Sequence, residues 1–245
     1  MVAPLRVALA PGADAAFTTR AGGVSEGPYA SLNLATHVGD EPAAVATNRR
    51  VATLALGLDP DRVTWCDQVH GDTVATVGGD DAGRTFEACD GLVTDVPGVP
   101  LAVMGADCMA VLLADRRRGI VGAAHAGRGG LVKGVVESTI AAMAGLGARR
   151  EDLSAALGPS IGACCYEVGD DVAAEVAAVL PVTRATTREG RTALDLPKGV
   201  RHVLAREGVR SVTVTGGCTA HEPAAYFSYR RDGTTGRQAG IVWRT

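Results

Sequence analysis

His70, Cys108 and His125 stand 38 and 17 residues apart and offer two imidazoles and one thiol. Brought together by the fold, they supply three ligands with an open fourth position, the donor pattern of a catalytic zinc site. The spacing matches no local zinc motif, so convergence depends on tertiary structure. Cys108 and His125 alone allow a second chemistry, a thiol nucleophile beside its base. Taken singly, a histidine at the end of a strand or one free cysteine is more often structural.

The element that must position Cys108 and His125 is an apparent β-hairpin within residues 104–130, MGADCMAVLLADRRRGIVGAAHAGRGG. Its apolar arms, residues 109–114 and 120–124, are strand-length and rich in Val, Ile and Leu. The polar stretch DRRRG between them ends in glycine, as a short loop requires. A loop of two or three residues sets His125 opposite Cys108 or Met109, and a one-residue slip turns one of them to the other face.

Further strands are expected near residues 5–10, 15–19, 62–66, 73–77, 91–95, 100–104, 153–157, 211–215 and 239–243. Amphipathic helices are expected at 42–56, 131–146, 169–180 and 197–207, with a surface loop at 183–192. Strands and helices mix without steady βαβ alternation, which favours an α+β fold. No repeat or low-complexity linker divides the chain, so residues 1–245 are read as a single domain of mixed β-sheets flanked by helices.

Three other segments could meet a ligand. AGRGG at residues 126–130 precedes a helix expected to begin near Leu131, and its N–H groups with Arg128 suit an anion; the bland reading is a turn needing positive φ. The long Gly/Ser-rich loop 18–34 carries Arg20, Ser31 and Asn33, which could hydrogen-bond a polar ligand. Residues 226–237, YFSYRRDGTTGR, could stack a flat ring and hold an anion, or form an edge hairpin turning at DG.

Composition narrows the classes. A net charge of −3 with no basic stripe argues against nucleic-acid binding. Aspartates 107 and 115 interrupt the richest apolar stretch before it reaches membrane-spanning length. The six cysteines show no CxxC and no disulfide framework, and the first residues do not read as a secretory signal. A reducing, cytoplasmic setting is the simplest expectation.

Six segments in order, TTRAGGVSEGPYASLNLATHVGD, DQVHGDTV, ADCMAVLLAD, GAAHAG, LGPSIGACCYEVG and FSYRRDGTTGR, give the chain a resemblance over nearly its whole length. It resembles the bacterial YfiH/YlmD-like family, described variously as polyphenol oxidases or laccases, purine nucleoside phosphorylases and peptidoglycan editing factors. The resemblance implies a fold akin to the catalytic domain of cytotoxic necrotizing factor toxins, and a zinc ion on His70, Cys108 and His125. It also implies phosphorolysis of adenosine, inosine, guanosine or methylthioadenosine, with adenosine deamination as a second activity. Arg20, Arg49 and Arg128 are then candidates for phosphate or substrate contacts, and Asp107 for a proton shuttle, because no H-x-E motif is present. The family pattern HAGWRG reads HAGRGG here, so Arg128 occupies the tryptophan position and Gly129 the arginine position. A proline-containing stretch common in the family is replaced by the Cys164-Cys165 pair.

Two alternatives accompany that reading. A copper (Cu2+) polyphenol oxidase is disfavoured, because multicopper centres draw on many histidines, usually in H-x-H pairs, whereas this chain has five and no such pair. A Cys-His hydrolase acting on peptidoglycan precursors would use Cys108 and His125 without metal.

Overall fold

The apolar runs of the sequence become strands buried on both faces, because each of two sheets is covered on both sides. The computed structural model describes residues 3–245, so the first two residues of the expected 1–245 domain lie outside it. The chain begins with the antiparallel ribbon β1 (Leu5–Ala10) and β2 (Ala13–Phe17), and a long loop leads to α1 (Pro42–Ala55). Short strands follow: β3 (Thr64–Cys66), β4 (Val74–Thr76), β5 (Thr85–Phe86), β6 (Gly91–Thr94) and β7 (Leu101–Gly105). The hairpin is β8 (Met109–Asp115) and β9 (Val121–Ala126), followed by α2 (Arg128–Lys133) and α3 (Val135–Gly145). Then come β10 (Leu153–Leu157), α4 (Asp170–Val179), β11 (Arg184–Thr186), β12 (Thr192–Leu194), α5 (Leu196–Arg206), β13 (Ser211–Val214), α6 (Tyr229–Asp232) and β14 (Gln238–Arg244).

The strands form two six-stranded mixed sheets, ordered β1-β2-β14-β7-β3-β5 and β13-β10-β8-β9-β6-β4, plus the two-stranded β11-β12. Alternation along β8 assigns its two faces. Ala110, Leu112 and Ala114 join Phe17, Leu101, Val103 and Val242 of the first sheet in a core between the sheets. Val111 and Leu113 pack instead with α3 and α5 through Val136, Ile140, Val200 and Val203. The outer face of the first sheet, with Trp65, Ala102 and Ile241, is covered by Ala52 and Leu56 around α1 and by Leu32 and Leu34 of the long loop. The result is a helix–sheet–sheet–helix sandwich of the α+β class. The inner faces carry mostly alanine, valine and leucine, which fits the low aromatic content of the chain.

The hairpin register differs from expectation. Its loop is four residues long: Asp115 N–H donates to Ile120 O at 2.8 Å, and the Asp115 carboxylate accepts the N–H groups of Arg117 and Arg118 at 2.7 and 2.8 Å. This wider loop sets His125 opposite Ala110, not opposite Cys108 or Met109. Cys108 precedes Ala110 by two residues and so keeps the same face, one diagonal step from His125.

Four other expectations are corrected. The helix foreseen at 131–146 begins at Arg128 and breaks at Gly134, whose φ of +97° ends α2 and starts α3. The strand foreseen at 15–19 ends at Phe17, after which Thr18 Oγ1 accepts Ala239 N–H at 2.9 Å. The loop foreseen at 183–192 contains β11, which pairs with β12. The DG hairpin does not form: Ser228 caps the single turn α6 and Gly233 ends it at φ +68°.

The sheets approach closely where Gly240 of β14 faces Ala110. A Cβ at Gly240 falls 2.6 Å from Ala110 Cβ and 3.1 Å from the Phe17 ring. Gly240→Ala is therefore expected to cost roughly 1–3 kcal/mol by overpacking, read as a lower urea midpoint with an unchanged slope. Unaltered stability would show that the sheets separate freely at this point.

Candidate metal centre

The three chemical side chains meet where the chain passes from one sheet to the other. Cys108 lies in the bend joining β7 to β8, His125 lies near the end of β9, and His70 lies in the turn after β3. One carboxylate ties two of these pieces. Asp90, fully buried just before β6, accepts backbone N–H groups from Val69 at 3.1 Å, His70 at 3.0 Å and Gly71 at 2.7 Å. Its Oδ1 also lies 2.8 Å from His125 Nδ1. Bonded this way, His125 keeps its Nδ1 proton on Asp90 and leaves Nε2 as the ring atom facing the thiol. His70 adopts φ +58°, a conformation costly for a residue with a side chain and sustained here by the Asp90 clamp.

Glycines make the remaining room. None of Gly127, Gly129 and Gly130 has positive φ, so the turn reading of AGRGG does not hold. A Cβ at Gly127 falls 2.7 Å from Cys108 Sγ and 2.9 Å from His70 Cδ2, and one at Gly130 falls 2.9 Å from Gly71 O. The segment after His125 lacks side chains at these points because the His70 turn and the thiol rest against it.

The donors fit a tetrahedral ion. Their ligand atoms all lie within 4.8 Å of one another, and Cys108 Sγ is 3.7 Å from His70 Nε2. Tetrahedral angles with zinc–sulfur and zinc–nitrogen bonds near 2.3 and 2.05 Å require a separation of about 3.6 Å. The rings of His70 and His125 meet edge to face with centroids 4.8 Å apart. Burial pushes the Cys108 thiol up, but the charge of His125 and hydrogen bonds from both histidines overcome it, drawing the thiol down to about 6. Burial likewise opposes charge on His125, while the Cys108 thiolate and the Asp90 carboxylate carry it up to about 9. For Asp90, burial is outweighed by the bonds from His125 and Gly71, leaving its carboxyl below the ordinary range.

The centre forms part of the wall of a cavity of about 460 Å³. The same cavity is also lined by Tyr166, Tyr229, Arg230, Arg237 and His37. The arginines are paired with the tyrosines, the Arg230 guanidinium lying 4.9 Å from the Tyr166 ring centre and that of Arg237 5.8 Å from Tyr229. His37 is pushed below its ordinary value by burial and by the charge of Arg237, so it is neutral near pH 7.

The other residues singled out in the sequence stand elsewhere. Arg20 spends its guanidinium on the carbonyls of Ala30 and Pro223. Ser31 accepts the N–H groups of Gly22 and Gly23, and buried Asn33 bonds Ala35, Asp40 and Arg237 N–H. Arg49 donates to Leu34 O and covers the Trp65 ring at 4.1 Å. All four brace the long loop and do not line the cavity. Arg128 is exposed at the start of α2, close enough for its charge to act on Tyr166.

Asp107 does line the cavity, at φ +100°, but its carboxylate is engaged by donors. Thr219 and Ser228 hydroxyls donate to Oδ1 at 2.6 and 2.7 Å, and Arg230 N–H donates to Oδ2 at 2.7 Å. This geometry supports an anchor for the cavity wall and not a proton shuttle. Asp90 was missed by the sequence reading. Its available signal was an acidic residue heading the apolar GLVT run, a position that buries its carboxylate.

The fold and centre together define an α+β protein with a His-Cys-His ligand set opening into a cavity. A protein-family profile described as multi-copper polyphenol oxidoreductase laccase matches residues 14–245. A purine nucleoside phosphorylase of Streptomyces coelicolor is 50% identical over 232 residues, covering 95% of this chain and 96% of that protein. One of Mycobacterium tuberculosis is 48% identical over 227 residues, covering 92% and 90%. Among solved structures, hypothetical protein YfiH of Bacillus licheniformis superposes with a TM-score of 0.89 at 35% identity, covering 95% of this chain and 93% of that one. YlmD of Geobacillus stearothermophilus gives 0.89 at 38% identity, covering 95% and 92%. This chain belongs to the YfiH family.

In metal-free protein, alkylation of Cys108 should rise with pH through a midpoint near 6, not near 9. The sign follows from the pair: the thiolate persists above the lowered thiol value and loses its cationic partner as pH rises through about 9. Asp90→Asn should move the alkylation midpoint upward and weaken zinc binding by about 10–100-fold. An unmoved midpoint with full affinity would remove Asp90 from this role.

Proposed function

We propose that the chain is a purine nucleoside phosphorylase that holds one zinc ion on His70, Cys108 and His125. The reading is carried by the convergence of those three side chains on a cavity that is also lined by two arginine–tyrosine pairs. Its names come from relatives called purine nucleoside phosphorylases at close to half identity over nearly the full chain. Adenosine, inosine, guanosine and methylthioadenosine are the proposed substrates, with adenosine deamination as a side activity and the cytoplasm as the setting.

In phosphorolysis a phosphate oxygen bonds to C1′ of the ribose as the bond from C1′ to purine N9 breaks. The electron pair leaves with the base, which takes up a proton at a ring nitrogen. Arg237 and Arg230, with Arg128 outside the cavity, supply the positive charge that draws in phosphate. The Tyr166 and Tyr229 rings offer flat faces for a purine. Neutral His37 provides one N–H and one lone pair for the base or sugar. The walls hold both reactants together, and positioning of this kind removes much of the barrier. When bound, zinc contributes a positive charge that polarises whatever atom is presented at its open position.

The copper reading finds less support in the donor set. Among the described residues the other cluster able to hold a metal is Cys164, Cys165 and Cys218, with no histidine in it. The hydrolase reading has one specific observation behind it: Cys108, His125 and Asp90 line up as thiol, imidazole and carboxylate. Such a triad has no use for His70, yet the backbone is held at φ +58° to bring that ring to the thiol. Metal ligation employs all three side chains.

The decisive assay incubates metal-quantified protein with a nucleoside panel, with and without phosphate, and identifies the products. Phosphate-dependent release of free base is expected; release indifferent to phosphate would overturn the assignment. Cys108→Ala should lose zinc together with at least about 100-fold in kcat/KM, and retention of both would sink the metal role. Arg237→Ala should lose about 10–100-fold, chiefly through KM for phosphate. Turnover of muropeptide precursors by metal-free protein would favour the hydrolase instead.

A further inference from the structure

Three of the remaining cysteines lie together outside the cavity. The Sγ atoms of Cys164, Cys165 and Cys218 are all within 4.8 Å of one another, with Cys164 and Cys165 3.5 Å apart. Neighbouring residues on a strand point to opposite faces, but these two sit on a tight turn. Gly162 O accepts the N–H groups of both Cys165 and Tyr166 at 3.0 Å, which folds the two thiols toward one side. The third is delivered by an isolated parallel bridge between Ser160 and Cys218. Gly162 N–H donates to Cys218 Sγ at 3.2 Å, fixing that sulfur against the turn.

We propose that Cys164, Cys165 and Cys218 form a second metal site, specific for a soft thiophilic cation such as Zn2+ or Cd2+. Trigonal or tetrahedral thiolate coordination with zinc–sulfur bonds near 2.3 Å places sulfurs about 3.8–4.0 Å apart. Small side-chain rotations reach that spacing from the observed one. The cluster contains sulfur alone, which selects against hard cations that require oxygen. All three cysteines are partly exposed, so an ion can enter from solvent. Cys66 and Cys89 differ on both counts, being buried and only two.

Binding is a proton exchange without electron transfer. Each thiol releases its proton to solvent, three sulfur–metal bonds form, and the fourth position is left to water. Three thiolates around a divalent ion carry one net negative charge. Arg188 is placed to balance it: its guanidinium contacts the His221 ring at 3.2 Å and its charge reaches Cys164. A bound ion ties two cavity-wall segments, because Tyr166 follows Cys165 and Thr219, a donor to Asp107, follows Cys218.

The test titrates fully reduced, metal-free protein with Cd2+, counting bound ions and following the sulfur-to-cadmium charge-transfer absorption. Wild type should bind two ions per chain. Cys164→Ser/Cys218→Ser should bind one and retain about a quarter of the absorption, since one of four ligating thiolates remains. Cys108→Ser should also bind one ion but keep about three quarters, so failure at the first centre is distinguished from failure at the second. If the double variant does not fold, single Cys164→Ser gives the same loss of one ion. A wild-type count of one with Cys108→Ser binding none, or a double variant still binding two, would overturn the proposal.

Discussion

A single buried carboxylate holds the centre together. Asp90 is out of water, and such a charge is costly unless every lone pair is used. Here three backbone N–H groups of the His70 turn and the His125 ring all converge on it. The same bonds that offset its desolvation give the His70 turn its left-handed residue and orient the His125 ring. Without that carboxylate two of the three side chains of the candidate centre lose their orientation together, although neither would lose its place in the chain.

The sandwich supplies what Asp90 cannot. Because β7 and β8 belong to different sheets, the bend between them necessarily crosses the mouth of the inter-sheet core, and Cys108 lies in that bend. His125 reaches the same mouth from the inner face of β9. The helices α2, α3 and α5 contribute no side chain to the His-Cys-His set, yet they cover the outer face of this sheet. The cavity is then finished by the late segment from Phe227 to Arg237, whose turn α6 is pinned to the bend through Asp107.

Much of this was legible in the sequence, and the failures have identifiable causes. Strand-length apolar runs located nearly all the strands, but β5, of two residues, carries no periodicity to read. The His-Cys-His set was legible from residue type and family pattern. The polar residues of the long loop stand away from the cavity because a loop of that length has many backbone groups to satisfy, and Arg20, Ser31 and Asn33 serve that need. Asp90 escaped because its importance lies in four acceptor contacts from segments 20 and 35 residues away, which no local pattern encodes. The arginine-rich YFSYRRDGTTGR stretch did reach the cavity, through Tyr229, Arg230 and Arg237.

The loop at the hairpin tip has an unexpected authority over the chemistry at its other end. Asp115 gathers the N–H groups of Arg117 and Arg118 and so sets the loop at four residues, which fixes the pairing all the way down to Ala110 and His125. At about 3.3 Å per residue, that command acts over roughly 20 Å. Exposed tips are ordinarily where a lineage can gain or lose residues at little cost. Here the parity of any such change matters: an odd insertion carried into the ladder would turn His125 toward the helices, while an even one would leave it facing the thiol. The length of the most permissive-looking stretch of the surface is therefore constrained by the geometry at the far end of the hairpin.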